Sequence, residues 1–256
     1  MCLLSVGLHV HPDYDLILVS NRDEFFERKT KRAHIWQENP DVVAGKDLEL
    51  GGTWLGVTKT GRLAGVTNVR EPFKQERMKS RGVLVTDFLF THDEPERYVK
   101  KVLKEKDQYQ GFNLITGSGD QWIYTSNRSL MENLDKGIHV ISNAGLNTEW
   151  PKTRKLKQKF EYVLNEPFTE EQLINKCMDI LQDDELARDD QLPNTGVTLE
   201  LERMLSPIFI KGTEYGTRAS TVILFKRGTI RFIEQAYGPN GKIRDKVDIS
   251  FEVLKK

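Results

Sequence analysis

Cys2-Leu-Leu-Ser-Val-Gly-Leu-His-Val10 opens the sequence, and a second apolar run, Leu16-Ile-Leu-Val-Ser20, follows it. Each run has the length and composition of a buried strand, and His11-Pro-Asp-Tyr-Asp15 between them is typical of a turn, so the pattern predicts a hairpin. Further hairpins are predicted at residues 53–67 and 221–233, with a last strand at 247–253. Strands at both ends of the chain indicate a shared sheet with mainly antiparallel pairing.

Helices are predicted between these strand-rich ends. One begins with Ser80 as its cap and reaches residue 90, and another runs from Asp93 and Pro95 to residue 104. Strands return at residues 112–116, 121–126 and 138–142. Two more helices follow, at about 151–164 and, from the capping box at Thr169, to about 182, before a polar loop at 183–196. No repeat or break in composition divides the chain, so we expect one α+β domain over residues 1–256.

Composition excludes several classes of protein. The 38 Lys and Arg residues balance the 38 Asp and Glu residues, so no overall charge attracts nucleic acid. No apolar run approaches the ~18 residues of a membrane span, and no targeting segment is evident, so we expect a cytoplasmic protein. The 2 cysteines are too few for a disulfide framework, and the 5 dispersed histidines give little basis for a metal site. We therefore expect neither metal nor cofactor.

Cys2 is the most informative residue for chemistry. Removal of Met1 would leave a thiol and a free α-amine on one residue, with ordinary pKa values near ~8.5 and ~8. The amine could then act as the base for the thiol, or as a cation favour the thiolate, without a separate histidine. The alternative is that Cys2 is only a small buried residue at the start of a strand.

A polar string, Ser20-Asn-Arg-Asp-Glu-Phe25, follows the second predicted strand. Asp23 could hold the α-amine, while Arg22 could favour a thiolate or bind an anionic group of a substrate. The alternative is a surface turn.

Amide and guanidinium side chains also lie at strand ends. Asn68 and Asn143 could each donate to a developing oxyanion, although both positions also suit turn capping. Arg218, in Tyr215-Gly-Thr-Arg218, could orient the amine or a substrate carbonyl, or form only a surface ion pair.

These features occur together with Gly51-Gly-Thr-Trp-Leu-Gly56, Gly111-Phe-Asn-Leu-Ile115 and Trp150-Pro151. The combination resembles the NRDE family, also called the transport and Golgi organisation protein 2 family, over essentially the whole chain. That family resembles the N-terminal-nucleophile (Ntn) amidases, among them penicillin V acylase and bile salt hydrolase. The resemblance implies a four-layer αββα sandwich with two mainly antiparallel sheets.

The resemblance also implies roles for single residues. Cys2 corresponds to the amidase nucleophile, Asp23 to the aspartate that orients its amine, Asn68 and Asn143 to its oxyanion and positioning asparagines, and Arg218 to its late arginine. Asn21, Arg22 and Trp54, from the same motifs, are candidate substrate-binding residues. One departure is that the amidases carry an arginine three residues before the aspartate, where this chain has Ser20.

Two functions follow from the resemblance. The first is an N-terminal cysteine hydrolase or acyltransferase that acts on a non-peptide C–N or thioester bond. The second is a non-catalytic carrier for a hydrophobic anionic ligand, such as haem or an acyl or acyl-CoA group. Eukaryotic family members are associated with Golgi organisation, lipid or acyl-CoA metabolism and haem mobilisation, so the expected partner is an acyl-type small molecule or haem.

Overall fold

The structure is a computed structural model that describes residues 2–71 and 78–254. The predicted removal of Met1 concerns a residue outside these ranges. In chain order the strands are β1 (Cys2–Leu8), β2 (Leu16–Phe25), β3 (Thr30–Ile35), β4 (Val42–Asp47), β5 (Leu55–Thr58), β6 (Arg62–Asn68), β7 (Phe112–Ser118), β8 (Gln121–Ser126), β9 (Glu132–Asn133), β10 (Gly137–Ile141), β11 (Tyr215–Lys226), β12 (Thr229–Tyr237) and β13 (Ile243–Glu252). The α-helices are α1 (Gly82–Phe90), α2 (Pro95–Lys104), α3 (Pro151–Asn165), α4 (Glu170–Leu181) and α5 (Leu199–Met204).

The strands form two sheets, ordered β10-β1-β2-β11-β12-β13 and β3-β4-β5-β6-β7-β8-β9. The neighbouring strands pair antiparallel. The predicted hairpins β1/β2, β5/β6 and β11/β12 are confirmed. β1 and β2, from the start of the chain, lie between β10 and β11, so both ends of the chain meet in the first sheet.

Alternate side chains of β1 contact different layers, which explains why the run is apolar throughout. Leu3 packs with α3 and α4 residues such as Phe160. Leu4 packs between the sheets with residues such as Ile115. A third cluster joins the second sheet to α1 and α2 through Phe88 and its neighbours. The predicted four-layer αββα sandwich is confirmed.

Local details differ from the sequence-based predictions. β2 runs through Phe25, so the polar string lies inside a strand rather than in a turn after it. The prediction that Ser80 caps α1 was wrong: Arg81 is the N-cap residue, without a side-chain cap, and Ser80 contributes only its carbonyl, which accepts from the Val83 N–H. The capping box at Thr169 is confirmed. Among the described residues, no helix is long and apolar enough to cross a membrane.

Candidate functional site

Cys2 lies at the first position of β1, opposite Arg22 of β2, and only 8% of it is exposed. Directly opposite residues of an antiparallel pair share one face of the sheet, so both side chains point between the sheets. Both line a cavity of about 900 Å³. The Cys2 carbonyl accepts a hydrogen bond from Asn143 Nδ2 at 3.3 Å, which fixes the start of the strand.

Burial raises the pKa of the Cys2 thiol above its ordinary value. The Arg22 guanidinium lowers the pKa of the thiol, while the Asp23 and Glu24 carboxylates raise it further. A thiol with a raised pKa is neutral at pH 7, so it needs a base to become a nucleophile. The pKa of the Cys177 thiol is raised to about 12 by burial in the helix-facing core, which makes it unreactive.

Arg22 and Trp54 form one unit of the cavity wall. The Arg22 Cζ lies 4.1 Å from the centroid of the Trp54 ring, in the geometry of a cation–π contact. Trp54 also packs against Gly45, where a Cβ would lie 2.4 Å from the ring. Ser20, two residues before Arg22, donates to the Leu3 carbonyl at 3.0 Å. Because side chains two apart share a face of a strand, Ser20 and Arg22 lie on the same face of β2.

The double glycine before Trp54 has a steric cause. Gly51 and Gly52 have φ of +70° and +75°, in the left-handed region. A Cβ on Gly52 would lie 2.7 Å from the carbonyl carbon and oxygen of Gly82, at the start of α1. Two backbones therefore meet there in close contact, and both Gly82 and Trp54 line the cavity.

Asp23 is 2% exposed and is held by the opposite strand. Its Oδ1 accepts a hydrogen bond of 2.7 Å from Thr217 Oγ1, which in turn accepts from the Ile210 N–H at 2.9 Å. Burial raises the pKa of Asp23, while Lys152, the Thr217 hydroxyl and Arg22 lower it. Asp23 also lines the cavity that contains Cys2. The predicted pair Cys2 and Asp23 is thus brought to one site.

The two asparagines occupy different positions. Asn143 is fully buried, and its Nδ2 donates to the Asn68 carbonyl at 3.0 Å as well as to Cys2. Asn68 lines the cavity, and within residues 2–71 and 78–254 its side-chain amide has no hydrogen-bond partner. A buried network fixes this junction, because Asn113 Nδ2 donates to Thr67 Oγ1 at 3.1 Å and both side chains donate to the Ser142 carbonyl.

Three predicted site residues, Asn143, Asn21 and Arg218, do not line the cavity. Asn21 is fully buried on the helix-facing side, where its Nδ2 donates to the Leu181 and Ile208 carbonyls at 2.8 Å. Arg218 lies at a bulge in β11 and donates to the Phe25 and Arg28 carbonyls. The side chains of Asn21 and Arg218 therefore connect separate segments of the fold through hydrogen bonds to backbone carbonyls.

Comparison with known proteins gives the family. The family model described as Transport and Golgi organisation 2 matches residues 1–239. This chain belongs to the Transport and Golgi organisation 2 family. It is 36% identical to the Transport and Golgi organization protein 2 homolog of Homo sapiens over 260 residues, which cover 92% of this chain and 93% of the relative. It is 34% identical to the Mus musculus homolog over 260 residues, with the same coverage. Its identity to the Drosophila melanogaster protein is 30% over 268 residues, which cover 92% of each chain.

Solved structures are also similar to this chain, at low sequence identity. One is the Caenorhabditis elegans ortholog of N-acylethanolamine-hydrolyzing acid amidase, with a TM-score of 0.49 and 10% identity, covering 87% of this chain and 92% of that chain. Another is a mutant of the conjugated bile acid hydrolase from Clostridium perfringens, with a TM-score of 0.48 and 8% identity, covering 97% and 92%.

In this member of the Transport and Golgi organisation 2 family, buried cations lie next to the cavity. The sequence did not predict that these cations are buried. Lys152 is 3% exposed, although its helix has the sequence pattern of a solvated lysine-rich face. The Arg70 side chain is 5% exposed and pairs with Glu202 of α5. Tyr215 lines the cavity, and burial raises the pKa of its hydroxyl. The buried surroundings of these side chains are formed by residues that are far apart in the sequence.

The cavity of this family member combines cations with an apolar wall. Arg28 is neutralised by Asp47 at 2.7 Å. Arg81 donates to the Gly111 carbonyl at 3.0 Å and forms no ion pair within the described residues. Arg22 has one carboxylate partner within the described part of the chain, Glu24 at 4.0 Å. The apolar wall includes Val66, Met78, Val197, Leu201, Met204 and Leu205.

A second depression, of about 720 Å³, lies on α2. It is lined by charged side chains of residues 94–104 together with Gln121, and it contains none of the predicted site residues. We therefore place the candidate site in the cavity that contains Cys2.

Proposed function

We propose that the protein is a cysteine hydrolase or acyltransferase that cleaves a non-peptide C–N or thioester bond, with Cys2 as nucleophile after removal of Met1. The observation that carries the proposal is that Cys2, Asp23 and Asn68, whose amide has no hydrogen-bond partner among the described residues, line one cavity of about 900 Å³. Nucleophile, carboxylate and neutral donor are the groups that acyl transfer needs.

The proposed reaction has two stages. The Sγ of Cys2 attacks the substrate carbonyl while its proton passes to the α-amine of Cys2, and the tetrahedral intermediate carries an oxyanion. The ammonium then gives this proton to the leaving nitrogen or sulfur as the C–N or C–S bond breaks, which leaves an acyl-Cys2 thioester. In the second stage water, or an acceptor in a transferase, attacks the thioester. The same amine takes the proton of the attacking group and returns it to Sγ.

The raised pKa of Cys2 is consistent with this use of a base. A neutral thiol at pH 7 transfers its proton only when a base is in contact with it, and the α-amine of the same residue meets that condition. In the proposal Asp23 accepts a hydrogen bond from the amine and holds it beside Sγ. Thr217 orients the carboxylate through its 2.7 Å bond to Oδ1.

We assign the oxyanion donor to Asn68 and a positioning role to Asn143. The Asn143 Nδ2 already donates to two carbonyls, of Cys2 and Asn68, so its donors are occupied. The Asn68 amide lines the cavity without a partner among the described residues and can donate to a developing charge. Loss of one oxyanion donor costs about 10² to 10³ in kcat.

The wall of the cavity supports a substrate with an apolar acyl group and an anionic group. Leu201 and Met204 of α5 offer apolar surface, while Arg22 and Arg81 are cations without a close carboxylate partner among the described residues. Guanidinium groups bind carboxylate and phosphate with paired hydrogen bonds.

The test is turnover on a panel of N-acyl amides and acyl thioesters with and without an anionic group, using protein whose first residue is Cys2. We expect Cys2→Ala to abolish turnover, and mass spectrometry of the wild type to detect an acyl adduct on Cys2. Cys177→Ala is the matched control and should retain turnover, because Cys177 lies in the core behind the sheet. Full turnover in Cys2→Ala would refute the proposal.

A second candidate is a carrier of a hydrophobic anionic ligand, haem or an acyl group, in the same cavity. The observation that favours it is that the cavity joins the apolar side chains of Leu201 and Met204 to the guanidinium groups of Arg22 and Arg81, which suits a hydrophobic anionic ligand. Titration with haem distinguishes the two. A shift of the haem absorption band at stoichiometric ligand that is lost in Cys2→Ala supports ligation by the thiolate. An unchanged spectrum argues against haem.

A further inference from the structure

Lys152 is a buried ammonium group next to the candidate site. It is 3% exposed, and its Nζ donates to the Leu205 carbonyl at 3.1 Å and lies 3.5 Å from Asn143 Oδ1. Asn143 in turn donates to the Cys2 carbonyl. One lysine therefore contacts the residue that fixes Cys2 and also the end of α5, which forms part of the cavity wall.

No carboxylate forms an ion pair with Lys152 within the described part of the chain. A buried charge without a direct partner costs several kcal/mol, and such groups are rare unless they act on another charge. The charged groups around it come from every neighbouring element: Arg70 at the end of β6 repels it, while Asp23 of β2, Glu202 of α5 and Cys2 of β1 attract it.

These neighbouring charges do not fully offset the positive charge of Lys152. Glu202 is already engaged by Arg70 in a buried ion pair, and it also accepts from the Thr195 N–H at 3.0 Å. Asp23 is shared with the Thr217 hydroxyl. When Cys2 ionises, its negative charge attracts the Lys152 ammonium group, which has no carboxylate in direct contact among the described residues. Both groups are buried, so water screens this attraction little.

We infer that Lys152 is a positioning residue that stabilises the ionised forms of Cys2 and Asp23 and holds the Asn143 amide against the start of β1. The inference rests on the proposed role of Cys2, and it adds an electrostatic group that the nucleophile and its amine do not supply. Burial lowers the pKa of Lys152 to about 8, so the cation is present at pH 7 and is lost above about pH 8.

The experiment measures the alkylation rate of Cys2 by iodoacetamide from pH 5 to 10, with peptide mass mapping to separate Cys2 from Cys177. The variants are Lys152→Met, which removes charge and donors, Lys152→Gln, which keeps a donor but no charge, and Lys152→Arg, which keeps the charge. Lys157→Met, an exposed position of the same helix, is the matched control.

We expect Lys152→Met and Lys152→Gln to slow Cys2 alkylation at pH 7 by about tenfold, because these variants lack the cation that favours the thiolate. The difference should narrow above about pH 8, where Lys152 of the wild type itself loses its proton. Lys152→Arg and Lys157→Met should keep the wild-type rate at pH 7. Circular dichroism checks each fold, and Lys152→Gln carries the test if the methionine variant does not fold. A wild-type rate at pH 7 in Lys152→Gln would overturn the inference.

Alkylation separates this inference from the proposed function because it needs no substrate. If the wild type turns over no substrate but Lys152→Gln still slows Cys2 alkylation at pH 7, the proposed reaction fails and the role of Lys152 stands. If the wild type turns over a substrate and the alkylation rate of Lys152→Gln at pH 7 is unchanged, the reaction stands and the role of Lys152 fails.

Discussion

Replacement of Thr217 by valine removes one hydroxyl from the site at almost constant volume. Thr217 is fully buried, and its Oγ1 donates to Asp23 Oδ1 at 2.7 Å while it accepts from the Ile210 N–H at 2.9 Å. A hydrogen bond to a charged group contributes about 1.5 to 3 kcal/mol, and a buried donor left without a partner costs about 1 to 3 kcal/mol. We expect Thr217→Val to lower the free energy of unfolding by about 2 to 4 kcal/mol.

Urea unfolding at pH 7 measures this loss, with Thr217→Ser as the matched control. Serine keeps the hydroxyl and removes one methyl group, so its cost is about 1 kcal/mol. A Thr217→Val protein as stable as Thr217→Ser would refute the role assigned to the hydroxyl.

The loss should also depend on pH. Burial raises the pKa of Asp23, and the Thr217 hydroxyl lowers it, so the valine variant has a still higher pKa at this residue. Below both pKa values Asp23 is neutral in both proteins, and the difference in stability is smallest. As pH rises through the pKa of Asp23 in the folded protein, ionisation of Asp23 costs more free energy in the variant than in the wild type. The loss of stability in Thr217→Val should therefore grow from acid to neutral pH.

Three further predictions concern the walls of the cavity and the buried charges. Gly52→Ala should lower the free energy of unfolding by at least about 3 kcal/mol, because its Cβ would lie 2.7 Å from Gly82 backbone atoms. Gly51→Ala has open space around the Cβ and should cost only about 1 kcal/mol, from its positive φ. Denaturant unfolding of the two variants measures the difference. Arg70→Met should cost about 3 to 5 kcal/mol because it leaves the Glu202 carboxylate buried alone, and adding Glu202→Leu should recover at least half in a double-mutant cycle. Because the pKa of Lys152 falls from 10.5 to about 8 on folding, the unfolded chain binds more protons between these pH values. Wild-type stability relative to Lys152→Met should therefore rise by about 3 kcal/mol from pH 7 to pH 11.

Hydrophobic patterning predicted most of the fold. The hairpins and the helices at α2, α3 and α4 have strong local patterns, because each presents an apolar face with a turn or cap beside it. The edge strand β3 and its neighbour β4 were not predicted, since polar and apolar residues do not alternate regularly in them. The short helix α5 was also missed, in a stretch where Thr198 caps only six residues.

The site was predicted in part for a physical reason. Cys2, Asp23 and Asn68 lie in short strings of unusual composition, so the sequence could select them as candidates, and the structure brings all three to one cavity. The burial of Lys152 could not be predicted, because it depends on Leu205, 53 residues away, and on the charges of other elements. The sequence placed the polar string after β2 and left a surface turn as the alternative, because the hydrogen-bond partners of the string, among them Ser220 for the Asn21 amide, come from β11.

The contact between Asp23 and Thr217 joins residues 194 positions apart, which bears on how the protein is made. A ribosome adds roughly 5 to 20 residues each second, so Asp23 emerges roughly 10 to 40 seconds before its partner exists. Throughout that interval β2 lacks its β11 neighbour, and the carboxylate has no fixed direction. The nascent chain therefore carries Cys2 without the arrangement around Asp23, which forms only after β11 has been synthesised. Chains that stop before residue 217 would keep the cysteine but not the geometry around it.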